Sequence, residues 1–482
     1  MWTGHRHEVI GSHGPGPARR FLAGLAVLAL VAGCGGSAAA VPPGEQALDG
    51  DAPADPEAIT LAASTAGRWV NAGDLSSGRL APRTVLLGDG RVLVVGDDGC
   101  DPESNGATST EVEVWDASTN RWQKTADLAS PRARFVALPL RDGRVLVTGG
   151  MDAREGSHNS NPYVSYSSAW AYSARTGTWS RAGIMRQART DPAGAVLRDG
   201  RVLVAGGYYA SDRWRSALSV NSSPREVPMI ELVVSRSGVL ADVAPDTPPA
   251  PVLATAELYD PATNTWSATG SMAVPRYGAS AVTLSDGRVL IVGQRVAWGG
   301  PYDIRIDQRA YTVAEIYDPK TGRFRLAGTL PTPMVNGALV ALADGGALLV
   351  GGYTKPDDGP ALPVRTTLRF GARALTWTAT GRLATARSSA VAVRLRDGRV
   401  LVAGGYDAYV PTKTAELYDP ATGKWTAAPP MPAPRGGGAA VVLRDGSVLI
   451  VGGLGAHSHD SQYSACWAWN GLARAVRFIP TP

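Results

Sequence analysis

Apolar residues in this chain come in short runs separated by turn residues. Seven times an aliphatic run follows an Asp-Gly or closely related turn: at Gly90 ("DGRVLVVGD"), Gly143 ("DGRVLVTGG"), Gly200, Gly287 ("DGRVLIVGQ"), Gly345 ("DGGALLVGG"), Gly398 and Gly446 ("DGSVLIVGG"). Runs this short, Val-rich and bounded by Gly and Asp, predict buried β-strands, and few stretches show the long i, i+3, i+4 pattern of an amphipathic helix. Asp-Gly between apolar runs predicts a two-residue hairpin turn with positive φ at both central residues. The twelve residues "LRDGRVLVAGGY" occur twice, letter for letter, at 197–208 and 395–406.

The runs obey a fixed ruler. Counting back 21 positions from each turn glycine lands on Trp69, Trp122, Trp179, Trp266, Phe324, Trp377 and Trp425. Counting back eleven lands on Arg79, Arg132, Arg189, Arg276, Arg387 and Arg435, with Met334 in the remaining place. Upstream of most of the aromatics stands a stretch such as "AELYDPATNTW", in which Asp-Pro suits a type I turn: proline presets φ and aspartate bonds back to the backbone. Each unit of about fifty residues therefore supplies four short strands. We letter them a (before the Asp-Gly turn), b (after it), c (ending in Tyr-Asp or an equivalent) and d (carrying the tryptophan).

The Gly-Gly after strand b, the Tyr and Trp across the c–d turn, and the Arg ahead of strand a resemble the kelch repeat. The resemblance covers residues 67 to about 478 and implies an all-β, seven-bladed propeller of four-stranded blades. A single blade cannot bury both faces, whereas seven packed around an axis can. The ruler starts on a d strand near Trp69, before any a, b or c strand, so that N-terminal strand is expected to complete the last blade and close the ring. The stretch "ARAVRFIP" near the C-terminus competes for the same place, and "CWAWN" is expected as strand c of blade 7.

The first residues carry a different message. After Arg19 and Arg20 comes the apolar stretch "FLAGLAVLALVAG", of signal-peptide length and short for a membrane span. It ends at Cys34, and the tetrad Val31-Ala32-Gly33-Cys34 resembles the lipobox of bacterial lipoproteins, which implies lipid attachment at Cys34. Residues 1–33 are thus expected as a signal peptide, 34–66 as a flexible tether rich in Ala, Gly, Pro and Asp, and 67–482 as the propeller, held in the cell envelope by the anchor alone. The remaining cysteines, Cys100 after strand b of blade 1 and Cys466 in blade 7, belong to blades that ring closure makes neighbours. In an oxidising compartment they could form a disulfide, the alternative being two unrelated thiols.

Antiparallel strand order puts the a–b and c–d turns on one face and the b–c and d–a connections on the other. Length variation falls in the b–c loops, including an insert at 208–253 in blade 3 whose "IELVVSRSGVLADV" is its most strand-like part. Variable loops on a rigid scaffold commonly carry binding. Candidate ligand residues on this face are the repeat arginines Arg79, Arg132, Arg189, Arg276, Arg387 and Arg435, whose guanidinium groups would suit oxyanions or serve to tie the blades. The residues two positions further on, Arg134, Asp191, Asn336 and Ser389, vary between repeats and are the better specificity candidates. His158, His457 and His459 are weak metal candidates, outweighed by a reading as solvated loop tips.

The net charge of +5 comes from arginines scattered among acids with no basic run, which argues against nucleic acid as a partner. Seven-bladed kelch propellers include galactose-oxidase-like copper enzymes, but the Tyr-His dipeptide which that resemblance would require is absent from the sequence. The expected function is a cofactor-free binding or scaffold module for a glycan, a peptide or an envelope protein. The alternative is a copper oxidase or a mutarotase-like sugar enzyme.

Overall fold

A computed structural model describes residues 67–96, 109–151, 164–209, 252–293, 311–354, 362–407, 410–455 and 471–481. Among them are seven four-stranded antiparallel sheets, each in the order a-b-c-d. Blade 1 comprises Arg83–Leu86, Val92–Val95, Val112–Asp116 and Arg121–Lys124; blade 2, Val136–Pro139, Arg144–Thr148, Ser168–Ser173 and Thr178–Ile184; blade 3, Ala193–Val196, Val202–Ala205, Ala256–Asp260 and Thr265–Ala268. Blade 4 comprises Ser280–Thr283, Val289–Val292, Val313–Asp318 and Arg323–Thr329; blade 5, Ala338–Ala341, Ala347–Val350, Thr367–Gly371 and Thr376–Ala379; blade 6, Val391–Arg394, Val400–Ala403, Ala415–Asp419 and Lys424–Ala428. Blade 7 takes strands a to c from Ala439–Val442, Val448–Val451 and Leu472–Pro480, and its strand d is the N-terminal Gly67–Arg79. The a strands touch in succession around the axis, with blade 7 meeting blade 1, so the ring is closed.

The closure follows the ruler. Trp69 lies opposite Phe478 and Gly67 opposite Pro480. The stretch "ARAVRFIP" is strand c of blade 7 rather than strand d, because its other edge pairs with Val448–Val451. It also displaces "CWAWN" from the role of strand c. Cys100, Cys466, the histidines, the Cys34 tetrad and most of the insert lie outside the described residues. The roots of the insert are described: Tyr208 bridges to Val252, and the Leu253 amide donates to the Gly207 carbonyl at 2.8 Å.

The Asp-Gly turns differ from expectation in one respect. Leu87 N donates to Arg91 O at 2.8 Å and Gly90 N to Leu87 O at 3.0 Å, which makes a three-residue loop. Gly90 is at φ 94°, while Asp89 is not among the positive-φ residues. Instead Asp89 Oδ1 accepts the Arg91 amide at 3.0 Å. This is a type I turn followed by a left-handed glycine, the second common hairpin solution.

Packing is organised by interface. The described core falls mainly into seven apolar clusters, each between consecutive blades; Leu443, Leu449 and Val451 of blade 7, for example, meet Val92, Val94 and Trp115 of blade 1. At the outer rim each ruler aromatic stacks on the aromatic of strand c, as in Tyr418 with Trp425, 5.1 Å between ring centroids. The indoles also hand a hydrogen bond back to the previous blade. Trp122 donates to Ala72 O at 2.8 Å, Trp266 to Ala182 O at 2.8 Å, Trp425 to Gly381 O at 2.9 Å, and Trp69 to Pro429 O at 2.7 Å. Phe324 stands at this place in blade 4 and has no N–H to give, so the joint between blades 3 and 4 lacks this bond.

Candidate ligand site at the axial mouth

The repeat arginines sit where the d–a connection turns into strand a, and all six are buried. Their terminal guanidinium nitrogens are held inside the protein. Arg387 donates to Gly404 O at 2.9 Å, Thr414 O at 3.0 Å and Glu416 Oε1 at 2.7 Å; Arg189 to Gly206 O at 3.0 Å, Thr255 O at 2.7 Å and Glu257 Oε1 at 3.0 Å. Arg79 pairs with Glu113 at 2.9 Å and Arg276 with Glu315 at 3.2 Å. The same glutamates take backbone amides of the incoming crossover: Glu416 accepts Ala384 N at 2.7 Å, and Glu257 accepts Arg186 N at 2.7 Å. Each such pair therefore ties strands b and c of its blade to the connection arriving from the blade before.

Three blades lack the glutamate. Blade 2 carries Trp170 there, blade 5 Leu368 and blade 7 Val476. In blade 5 the arginine is lost too, so that Met334 and Leu368 share one apolar cluster. Arg132 and Arg435 stay buried without a carboxylate, and burial pushes both guanidinium groups down to about 10. Arg132 is held by Gly149 O at 3.1 Å, by the Ser130 and Ser168 hydroxyls at 2.9 and 3.0 Å, and by the Tyr166 ring at 4.7 Å. Arg435 relies on Gly452 O at 3.2 Å and Arg474 O at 3.1 Å.

Two residues further on, the backbone does the same unusual thing in every blade. Ala81, Arg134, Asp191, Gly278, Asn336, Ser389 and Gly437 all have positive φ, between 49° and 71°. Amides at these positions donate to the carbonyl of the same position one blade back: Asp191 N to Arg134 O at 2.8 Å, Gly278 N to Asp191 O at 2.7 Å, Ser389 N to Asn336 O at 3.2 Å and Gly437 N to Ser389 O at 3.0 Å. Four of the seven steps around the axis on the b–c and d–a face are thus bridged by backbone hydrogen bonds. Glycine suits such a position without strain, yet only two of the seven are glycine, and a side chain there costs about 1–2 kcal/mol. Replacing Ser389 with glycine is accordingly expected to stabilise the protein, by up to about 1 kcal/mol once the greater freedom of glycine in the unfolded chain is subtracted. Chemical denaturation of the variant against the parent reads this directly.

The mouth is asymmetric. The residue after each repeat arginine, or after Met334 in its place, is Leu80, Ala133, Thr190, Val335, Ser388 or Gly436 in six blades and Tyr277 in the seventh. Tyr277 is buried, and its hydroxyl has no hydrogen-bond partner among the described residues. Burial, followed by the nearby negative charge of Asp191, pushes this phenol far above its usual range, while Arg134 pulls the other way. Its ring stands edge-on to Tyr208 at 5.4 Å, and Tyr208 donates to Met151 Sδ at 3.3 Å. Tyr311 lies close by, its phenol raised to about 12 by burial. Tyr277 went unmarked in the sequence, although its signal was there as the one aromatic after a repeat arginine.

The sequence candidates thus separate. Arg134 and Asp191 stand on adjacent blades beside Tyr277, Asn336 and Ser389 occupy the same ring further round, and the six repeat arginines lie buried with protein partners.

Residues 387–432 match the Kelch motif family. No curated protein matches the chain. Among solved structures, the chain is similar to a fungal alcohol oxidase of the AA5 family in complex with copper, at 18% identity and TM-score 0.57, covering 86% of this chain and 76% of the other. It is also similar to YjhT, at 14% identity and TM-score 0.51, covering 74% of this chain and 99% of the other.

Proposed function

We propose that this chain, a seven-bladed kelch-type β-propeller, is a binding module of the cell envelope, anchored through Cys34, whose axial mouth on the b–c and d–a face takes a polar group of a glycan or protein partner. One observation carries the reading: the mouth keeps charged and polar side chains at left-handed positions where glycine would relieve strain. Strain maintained at one location in a fold is a mark of function. Arg134 and Asp191 set a guanidinium and a carboxylate beside Tyr277, a buried hydroxyl whose hydrogen bond a ligand would supply. The signal-like segment and the tetrad ending at Cys34 support the location.

The alternative is a sugar- or alcohol-converting enzyme, after the copper oxidase of the same fold. Among the described residues no group of three His, Cys, Asp or Glu side chains is placed to hold a metal.

Tyr277→Phe tests the reading. Leaving a buried hydroxyl unsatisfied costs about 1–3 kcal/mol, so the variant is expected to be at least as stable as the parent. A glycan and peptide array probed with the full chain, Tyr277→Phe and Arg134→Gln reads recognition. Ligands that are lost in both variants support the mouth as the site. Ligands bound equally by all three forms would move binding elsewhere, and conversion of a bound sugar, followed by NMR, would favour the enzyme.

A further inference from the structure

Four arginines in the a–b turns, on the face opposite the candidate site, stand beyond those that pair with the turn aspartates; the c–d turns of the same face carry Asp116, Asp260, Asp318 and Asp419 against Arg121, Arg175, Lys320, Arg323, Arg373 and Lys424, so cations stay in excess there. In each a–b turn the aspartate is neutralised by one guanidinium. In blades 1 to 4 and 6 it comes from the residue after the turn glycine, as in Arg91 with Asp89 and Arg144 with Asp142, both at 2.6 Å. Blades 5 and 7 have Gly346 and Ser447 there. An arginine on the facing strand c replaces it, Arg369 on Asp344 and Arg477 on Asp445. Every turn is thereby neutral before one addition is considered: in four of them a further arginine precedes the aspartate, namely Arg141, Arg198, Arg396 and Arg444.

All four are exposed, and among the described residues none makes an ion pair. They are held in place nonetheless. Each lies over the turn glycine of the next blade, its Cδ within 2.9 to 3.3 Å of where a Cβ would stand at Gly200, Gly287, Gly446 or Gly90. Arg141, Arg396 and Arg444 also donate to the carbonyls of Arg198, Arg444 and Gly88. The charges are therefore fixed around one end of the axis. Strand d of blade 7 begins on this face, with Gly67 opposite Pro480, so the sequence bearing the Cys34 tetrad joins the propeller here.

We infer that the arginine-bearing turn face docks on an anionic lipid surface and so holds the opposite mouth away from the membrane. The anchoring reading supplies the nearby membrane, and the ring supplies the charge. Guanidinium groups match phosphate oxygens with paired donors, and an anionic leaflet attracts such cations within a Debye length. The four fixed charges act together because the turns leave no side-chain search to make.

The test uses the full chain carrying Cys34→Ser, which has no lipid attachment site, sedimented with phosphatidylcholine vesicles and with vesicles that also contain phosphatidylglycerol. Binding to phosphatidylcholine alone reads the upstream apolar segment, and the excess on phosphatidylglycerol reads the ring. That excess is expected to fall with rising salt. It should drop by about a hundredfold or more in the fourfold arginine-to-glutamine variant, each cation near such a surface being worth roughly fivefold. The fourfold arginine-to-lysine variant retains the charge and is expected to keep most of the preference, which separates loss of charge from loss of fold. Removing four exposed cations elsewhere, Arg186, Arg325, Arg382 and Lys413, should change little. Equal binding to both vesicles, a preference that survives the glutamine variant, or equal loss in the control overturns the inference. Mass spectrometry of the parent chain from an exporting host tests the anchor separately: no acyl group with an intact phosphatidylglycerol preference overturns anchoring and leaves docking in place.

Discussion

Replacing Arg387 with methionine is expected to destabilise the propeller by about 3–5 kcal/mol, the usual result of leaving one partner of a buried ion pair without the other. Glu416 would keep its bonds to the crossover amides and lose the guanidinium at 2.7 Å, at a site only a few per cent exposed. Blade 5 shows how the same place is filled without charge. It combines Met334, Leu368 and Pro331, and the proline stands where blade 6 has Ala384, so the amide that Glu416 accepts in blade 6 does not exist in blade 5. Blade 7 repeats part of this, with Val476 and Pro432. The triple variant Ala384→Pro, Arg387→Met, Glu416→Leu should therefore recover most of the loss, to within about 1 kcal/mol of the parent, because well-packed apolar replacements of buried pairs are often neutral or better. Urea unfolding of the single, double and triple variants gives the couplings. A triple variant no more stable than Arg387→Met would show that the three positions do not act as a unit.

Removing strand Gly67–Arg79 is expected to cost the chain its soluble monomer. The strand buries Ala72 and Leu75 in the interface with blade 1, packs Trp69 on Phe478 at 5.0 Å, and carries Arg79 to Glu113. Apolar burial at Trp69, Ala72 and Leu75 alone is worth on the order of 5 kcal/mol, and the deletion also bares the edge of Leu472–Pro480, an open template for pairing. Size-exclusion chromatography and thermal melting should show aggregation of a chain starting at Leu80. A peptide of residues 67–79 added in trans should restore the monomer. A truncated chain that stays monomeric with an unchanged melting temperature would mean that the ring does not need its closing strand.

The architecture was legible because it is written seven times. One aromatic and one arginine at fixed offsets from a turn glycine place strands, blades and closure, and a repeat exposes its own exceptions. The arginines were ambiguous for a physical reason: a guanidinium at a strand entry serves an oxyanion or a carbonyl equally well, and only burial decides. Their glutamate partners stand two residues before the Tyr or Trp of strand c, within the quoted "AELYD", and passed unremarked because a charged residue inside a short strand reads as solvent-facing. The left-handed ring was half visible. Variation at Arg134, Asp191, Asn336 and Ser389 marked the positions, but nothing in a mixture of Arg, Asp, Asn, Ser, Ala and Gly announces a shared backbone conformation. The two-residue hairpin expected at Asp-Gly failed because aspartate captures the amide two residues on, and this favours the type I geometry with glycine alone at positive φ.

The missing indole at Phe324 falls at the seam under the candidate site. Five of the joints carry an indole bond to a strand or crossover carbonyl in the same register as that of Trp425, Trp69 joins blade 7 to blade 6 in like manner, and only the joint between blades 3 and 4 does without. Asp191 enters blade 3 and Tyr277 enters blade 4, so the two sides of the candidate site sit on opposite lips of that seam. That seam is held instead by Thr269 Oγ1 with the Tyr317 hydroxyl at 2.7 Å, by Gly270 N on Gly322 O at 2.9 Å and by Arg276 with Glu315, so the candidate site straddles a joint tied without an indole.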